Sequence, residues 1–377
     1  MKNLTTSIYD FEKLRTAGYL YIDKTEYIWH LIDPPGESYF LSRPRRFGKS
    51  LLVSTLKAVF QGKKELFKGL AIYDKPYDWK QFPIIHLRFG DYSPMKDTAE
   101  KVDAYLLDKV AAVAKAHSIF LPSGCDSSTA FGKLIDAMAE KGQVVILVDE
   151  YDKPILDNVA NENIEEILKC LKGFYSVLKD RNEQERLLFI TGVSKFSHVS
   201  LFSELNNMTD ITLQQDYAGM LGFSEKEIRK YFADRLSDAA RSNGISEEEL
   251  MGNLMAWYDG YRFSEADIHV CNPVSITKFF VNSYKFSNYW DSTGTPSFLL
   301  ELMRSQSYNF EAALNGTYDE SVFSAYELDR LDITGLLWQT GYLTIKELVS
   351  GLRRMKYRLG FPDREVKQTF MGRFLEF

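Results

Sequence analysis

The chain has 377 residues, 45% hydrophobic and 26% charged, with a net charge of −6. That length exceeds one ordinary core and points to roughly two or three domains. The acidic balance argues against a protein coated in positive charge for nucleic acid, although it leaves room for a local basic patch.

Cys125, Cys170 and Cys271 lie far apart, and the five histidines are scattered. Their spacing matches neither a disulfide framework nor a zinc site, so a reducing cytoplasm is expected. The N-terminus has no signal-type apolar run, and no run approaches the ~20 apolar residues of a membrane span.

In chain order, Ile8 to Ile32 is amphipathic and aromatic, and Asp23 is expected to cap a helix bearing Tyr27, Ile28, Leu31 and Ile32. These residues would pack the core or wall a base pocket. Pro34-Pro35-Gly36 breaks the chain. Tyr39-Phe40-Leu41 then reads as a strand, followed by a polar loop and Gly48-Lys49-Ser50 at the entrance of a helix that Gly62 stops. Strand, loop and helix in this order suit phosphate binding, because the free N–H groups and dipole of a helix N-terminus favour an anion. Lys49 would reach the β/γ-phosphates and Ser50 would ligate Mg²⁺. The match to G-x-x-x-x-G-K-[ST] lacks its first glycine, where Arg43 stands. Read alone, the stretch could also be a basic loop that happens to precede a helix.

Ile84 to Phe89 reads as a second strand, followed by helices over Thr98 to Ser118 and Thr129 to Lys141. Val144 to Val148 is five aliphatic residues without alternation, the mark of a strand buried on both faces. It ends in Asp149-Glu150. A helix from Ile164 to Lys179 leads to the apolar run Leu187 to Ile190, which ends at Thr191-Gly192, and Ile211 to Leu213 reads as a last short strand. Strands alternating with helices predict an α/β domain with a central parallel sheet.

Beyond Gly219 the chain reads as mainly helical. Ser224 is expected to cap a helix from Glu225 to Leu236, and a second helix spans Ser246 to Tyr258. Further helices are expected over Pro296 to Met303 and Leu328 to Thr340. A hairpin follows, Tyr342 to Leu348 and Met355 to Phe361, turning at Ser350-Gly351. The expected architecture is a P-loop NTPase domain at 1–216, a helical lid at 217–288 and a winged-helix-like domain at 289–377.

The chemistry rests on a few side chains. An acid at the C-terminal tip of a buried parallel strand lies where open α/β sheets bind ligands. Its desolvation needs a compensating cation. Asp149 is expected to share Mg²⁺ with Ser50, while Glu150 orients and polarises the attacking water. Thr191 is expected to sense the γ-phosphate or the water if its strand and the acidic strand flank the loop strand, with Ser194 as the alternative. The nucleotide-binding stretch is Arg45, Arg46, Phe47, Gly48, Lys49, Ser50 and Leu51. Lys195 or a loop arginine, or a basic residue from a neighbouring subunit, would add positive charge.

RPRRFGKSLL, VDEYDKP, ITGVSKF, WYDGYRF, CNPVS with the following YW-STGTPS, and TGYLTI, in this order, resemble the bacterial AAA-ATPase-like family. The resemblance runs from YIDKT (Tyr21 to Thr25) to FPDREV (Phe361 to Val366). It implies that the Arg-Pro-Arg-Arg-Phe loop is the family's own phosphate loop, that Gly48, Lys49 and Ser50 bind nucleotide, and that Asp149 and Glu150 are the acidic pair. ATP rather than GTP follows partly from it, since no Asn-Lys-x-Asp run is present. Family members often carry a PD-(D/E)XK nuclease-like domain after this point. No such strand pair follows FPDREV here, so no nuclease activity is expected of this chain.

The sequence therefore predicts a Mg²⁺-dependent ATPase acting as a switch or motor, with ATP as its ligand and no membrane partner. A second reading makes the winged-helix-like part a DNA-binding module with a slow regulatory ATPase, using Arg353, Arg354, Lys356 and Arg358. A third is a scaffold that binds ATP without turnover, with a protein effector or a second copy as partner.

Overall fold

The structure is a computed structural model that describes residues 1–375 except 94–96, 196–207, 291–298, 300–301, 305, 324–331 and 351–353. A parallel sheet organises the first half. Its strands are β1 (Glu37–Ser42), β2 (Ile84–Arg88), β3 (Val144–Asp149), β4 (Glu185–Gly192) and β5 (Met208–Asp210), in the spatial order β2-β3-β4-β1-β5. All six residues of β3 and all eight of β4 are buried, as unbroken apolar runs demand when helices cover both faces of a sheet.

The order corrects one expectation. The acidic strand and the strand of Thr191 do not flank β1 from opposite sides: β4 lies between β1 and β3, and β5 takes the other side of β1. The last strand is Met208–Asp210 rather than Ile211 to Leu213. Pairing register then sets a transverse row at the C-terminal edge of the sheet, with Arg88 opposite Asp149, Asp149 opposite Thr191, and Thr191 opposite Leu41.

Helices α1 (Phe11–Thr16), α2 (Thr25–Ile32), α3 (Lys49–Phe60), α4 (Ala99–Ala116), α5 (Ser127–Ala139), α6 (Lys153–Leu156) and α7 (Ile164–Ser176) complete this half. Asp23 is not the cap residue of α2, since Lys24 holds that position. Asp23 accepts instead from the Thr25 amide and hydroxyl and from the Ala71 amide.

The later helices are named by their residues. Ser224 and Glu227 form a reciprocal capping box at the start of Glu225–Tyr231. The expected single helix to Leu236 is two, Glu225–Tyr231 and Ala233–Asn243, broken at Phe232. Phe232 stacks on Phe280 of the helix Pro273–Val281, within a second apolar cluster that includes Leu250, Leu254 and Tyr258. Helix Ile333–Thr340 precedes an antiparallel hairpin of β6 (Thr344–Ser350) and β7 (Met355–Gly360), and Arg364–Leu375 closes the described chain. The expected helix from Pro296 and the start of the one from Leu328 fall largely outside the described residues, as does Gly351 of the hairpin turn.

Candidate functional site

The site grows from the end of β1. The chain leaves Ser42, turns through Arg43 to Phe47, and enters α3 at Lys49 with Gly48 as its N-cap residue. Gly48 has φ +98°, a left-handed conformation that a side chain would strain, so glycine is required here. Position 43 has no such requirement. Arg43 is not among the positive-φ residues, and its side chain is buried. Its Nη1 donates to the carbonyls of Ser42 (2.9 Å) and Thr212 (2.7 Å), and its guanidinium lies 4.2 Å from the ring centre of Phe263. Burial draws its pKa down to about 9, opposed by the Asp210 carboxylate. Arg43 is thus a structural rivet, pointing inward.

Phe47 fixes the other end of the loop. Its ring stands edge-on to Tyr261 (4.7 Å) and Phe263 (5.4 Å). Arg45 and Arg46 line the adjoining cavity, of about 850 Å³, with Lys49 and Ser50. Leu51 also lines it, from the first turn of α3. Lys49 is buried and donates to the carbonyls of Arg43 (2.8 Å) and Pro44 (2.9 Å). Burial lowers its pKa to about 8, with Asp152, Glu150 and Asp149 opposing the shift. Those carbonyls hold the ammonium within the loop it would serve.

Across the sheet, Asp149 is almost wholly buried. Burial raises its pKa, and a hydrogen bond from Ser50 with the charges of Lys49 and Arg88 opposes this. One carboxylate oxygen, Oδ1, has no hydrogen-bond partner. A buried, unpaired carboxylate oxygen beside a serine hydroxyl is a donor set that suits a hard divalent cation completed by water and phosphate. Glu150, next along, adopts φ +58°. Burial and then the neighbouring Asp149 charge raise its pKa. Its carboxylate rests against Gly90, where a Cβ would overlap Oε2.

Thr191 is brought to the row between Asp149 and Leu41, but its hydroxyl donates to the Leu41 carbonyl (2.8 Å) and stays within the sheet. Ser194 is held by Asp152, whose Oδ2 accepts from the amides of Val193 (3.0 Å) and Ser194 (2.7 Å) and from the Ser194 hydroxyl (2.7 Å). Lys195 is paired with Asp210 at 2.7 Å, and its amide donates to Gln339 Oε1 of the helix Ile333–Thr340.

Several of these residues escape a sequence reading. Asp152 lies inside VDEYDKP but shows no role until the β4 tip folds against it. Arg88 could have been noticed as a charged residue ending an apolar strand. The aromatic N-terminal stretch does contribute to the cavity: Ile8, Tyr9, Tyr21 and Ile22 line it, together with Phe223 and Val274. Lys24, from the same stretch, pairs with Glu227 of the capping box at 2.6 Å.

A family model described as predicted AAA-ATPase matches residues 5–202, which include β1, the loop, α3, the acidic strand and the β4 tip. The chain belongs to the AAA-ATPase-like family. The matched region, with its central parallel sheet, is that of a predicted AAA-ATPase with an α/β P-loop NTPase fold. Within this AAA-ATPase-like chain, the loop, α3 and the acidic strand all fall inside the matched region.

An uncharacterized protein in the vnfD 5′ region of Azotobacter chroococcum mcd 1 is 37% identical over 376 residues. The match covers 98% of this chain and 69% of that protein. Among solved structures, the Aeropyrum pernix ORC1 protein in complex with DNA aligns over 93% of each chain, at 10% identity and a TM-score of 0.37. Nothing about this chain follows at that distance. No helix among the described residues is long and apolar enough to cross a membrane.

Proposed function

We propose that this chain binds Mg·ATP at the loop Arg43–Ser50 and hydrolyses it as a molecular switch or motor. The observation that carries the reading is the meeting of Ser50 and Lys49 with the buried Asp149, beside Glu150, where Lys49, Ser50 and Glu150 line one cavity. The phosphates would lie at the N-terminus of α3, where unpaired amides favour an anion. Lys49 would exchange its two carbonyls for phosphate oxygens. Ser50 and Asp149 would hold Mg²⁺, whose chemistry is to neutralise phosphate charge. Glu150 would orient and deprotonate water, a role favoured by its raised pKa. Arg45 supplies further positive charge, and Thr191 supports the strand tip. Ile8, Tyr9 and Phe223 would receive the base.

A separate lid is supported by the apolar cluster of the helices from Ile228 to Phe280, whereas Trp290, Leu337 and Phe370 share one cluster with the sheet. A cytoplasmic site accords with three unpaired cysteines.

The deciding experiment is steady-state phosphate release with Glu150→Gln and Lys49→Ala as controls. Turnover lost in Glu150→Gln with ATP affinity kept supports hydrolysis. Affinity unchanged in Lys49→Ala would sink the binding reading. Absence of turnover in the wild type would leave a binding scaffold.

DNA binding through a winged-helix-like C-terminal part is the second reading. It rests on the hairpin β6–β7 after the helix Ile333–Thr340, and on Arg354 and Lys356. Arg358 is paired with Glu347 at 2.6 Å, and Arg353 lies outside the described residues. A salt-dependent mobility shift lost in Arg354→Glu with Lys356→Glu tests it. A protein effector or a second copy of the chain is the other proposed partner.

A further inference from the structure

A second cavity, of about 440 Å³, runs along the outer side of β2 between α3 and α4. Among the described residues β2 ends the sheet, so one of its edges has no strand beside it. In a parallel strand the N–H and C=O of one residue point the same way, and successive residues alternate. The Pro83 carbonyl and the Phe89 amide both bond to β3. The odd-numbered residues therefore face β3, and the amides and carbonyls of Ile84, His86 and Arg88 face the open groove. Among the described residues, none of these amides bonds to a turn, a loop or a helix cap.

The groove is basic although the chain is acidic. Lys57, Arg88 and Lys109 line it with His86 and His117, and no aspartate or glutamate does. Lys109 pairs with Asp91, Arg88 Nε lies 3.9 Å from Asp149, and Asp10 is the carboxylate acting on His86. Lys57 has no ionic partner among the described residues. Between these charges lie Phe82, Ile84, Leu87 and Val113.

We propose that the open edge of β2 takes an extended segment of another protein, alternating acidic and apolar residues, as a sixth strand. Main-chain bonds would supply affinity, and the flanking cations and apolar patches would select the side chains. The same cations repel a second copy of this edge, since like charges would meet. A nucleic-acid strand would satisfy the cations but offers no row of amides to the carbonyls of Ile84, His86 and Arg88. This inference does not depend on ATP turnover.

The test is fluorescence polarisation of the full chain with a labelled peptide of about ten residues alternating glutamate and valine, long enough for one strand. A second peptide has every backbone amide N-methylated, which removes the donors of both edges without changing charge. The expected result is saturable binding that weakens with salt, falls about tenfold on N-methylation, and falls about fivefold in Lys57→Glu. Equal affinity for the methylated peptide overturns the proposal, as does the absence of saturable binding by the unmodified one. An oligonucleotide that binds more tightly than the peptide, and is lost in Lys57→Glu, would assign the groove to nucleic acid and overturn it too.

Discussion

The ring of Phe47 stands edge-on to Tyr261, with centroids 4.7 Å apart, although 213 residues of chain separate them. The loop from Arg43 to Gly48 is thereby seated on a turn that belongs to the second half of the chain. That turn is tied in its own right to β6, since the Arg262 amide donates to Thr344 Oγ1 at 2.7 Å. The loop's geometry depends on packing from residues far away in the sequence.

Phe47→Ala should therefore destabilise the protein by about 3–5 kcal/mol, the usual cost of deleting a buried ring. It should also weaken ATP binding, because the loop loses its seat. Urea unfolding and nucleotide titration check both effects, and Phe47→Leu should recover most of the stability.

Arg43→Gly restores the glycine of the general phosphate-loop pattern, yet it should harm this protein. It removes donors from the buried carbonyls of Ser42 and Thr212 and the stack on Phe263. The expected cost is on the order of 3 kcal/mol. An unchanged urea midpoint would show that the arginine is dispensable.

Asp152→Ala should cost about 3 kcal/mol, since the Val193 and Ser194 donors lose one shared acceptor in a buried place. Turnover should fall with stability, because the β4 tip loses its anchor. Asp152→Asn keeps one acceptor oxygen and should sit between, as differential scanning calorimetry would record.

Gly90→Ala places a methyl group where the Glu150 carboxylate rests. The carboxylate must move. Phosphate release should drop by about tenfold or more, as expected when a general base is displaced, while ATP affinity stays near wild type. A parallel fall in affinity would mean that the β2 tip itself has shifted.

Glu185 predicts a pH dependence remote from the site. It is buried at the start of β4, and burial pushes its pKa to about 8, offset only in part by the Ser38 hydroxyl. The folded state therefore holds this proton while the unfolded state releases it. Stability should fall as pH rises from about 4.5 to about 8, by at least ~1 kcal/mol, since one pKa unit is worth about 1.4 kcal/mol. Glu185→Gln should flatten that slope, measured as urea midpoints at several pH values.

Much of the candidate site is legible in the chain itself because its signals are local. Val144 to Val148 is an unbroken apolar run because that strand is buried on both faces, and Asp149 follows at its tip. Gly48-Lys49-Ser50 marks a helix start because only a left-handed residue and a small donor fit there. What these residues touch was not legible. β4 entered between β1 and β3, so Thr191 spends its hydroxyl on Leu41 rather than turning to the site alone. Asp152 reads as one more acid until the amides of Val193 and Ser194 close on it.

The sequence by itself determined most of the elements, their parallel sense and the loop and acid at the strand tips, since periodicity, capping and burial act over a few residues. Only the tertiary structure decided the strand order, the inward turn of Arg43, the seat of Phe47 on Tyr261 and the open edge of β2. Each of these depends on which distant surfaces meet, and hydrogen bonds and ring contacts between residues far apart in the chain leave no period in the sequence.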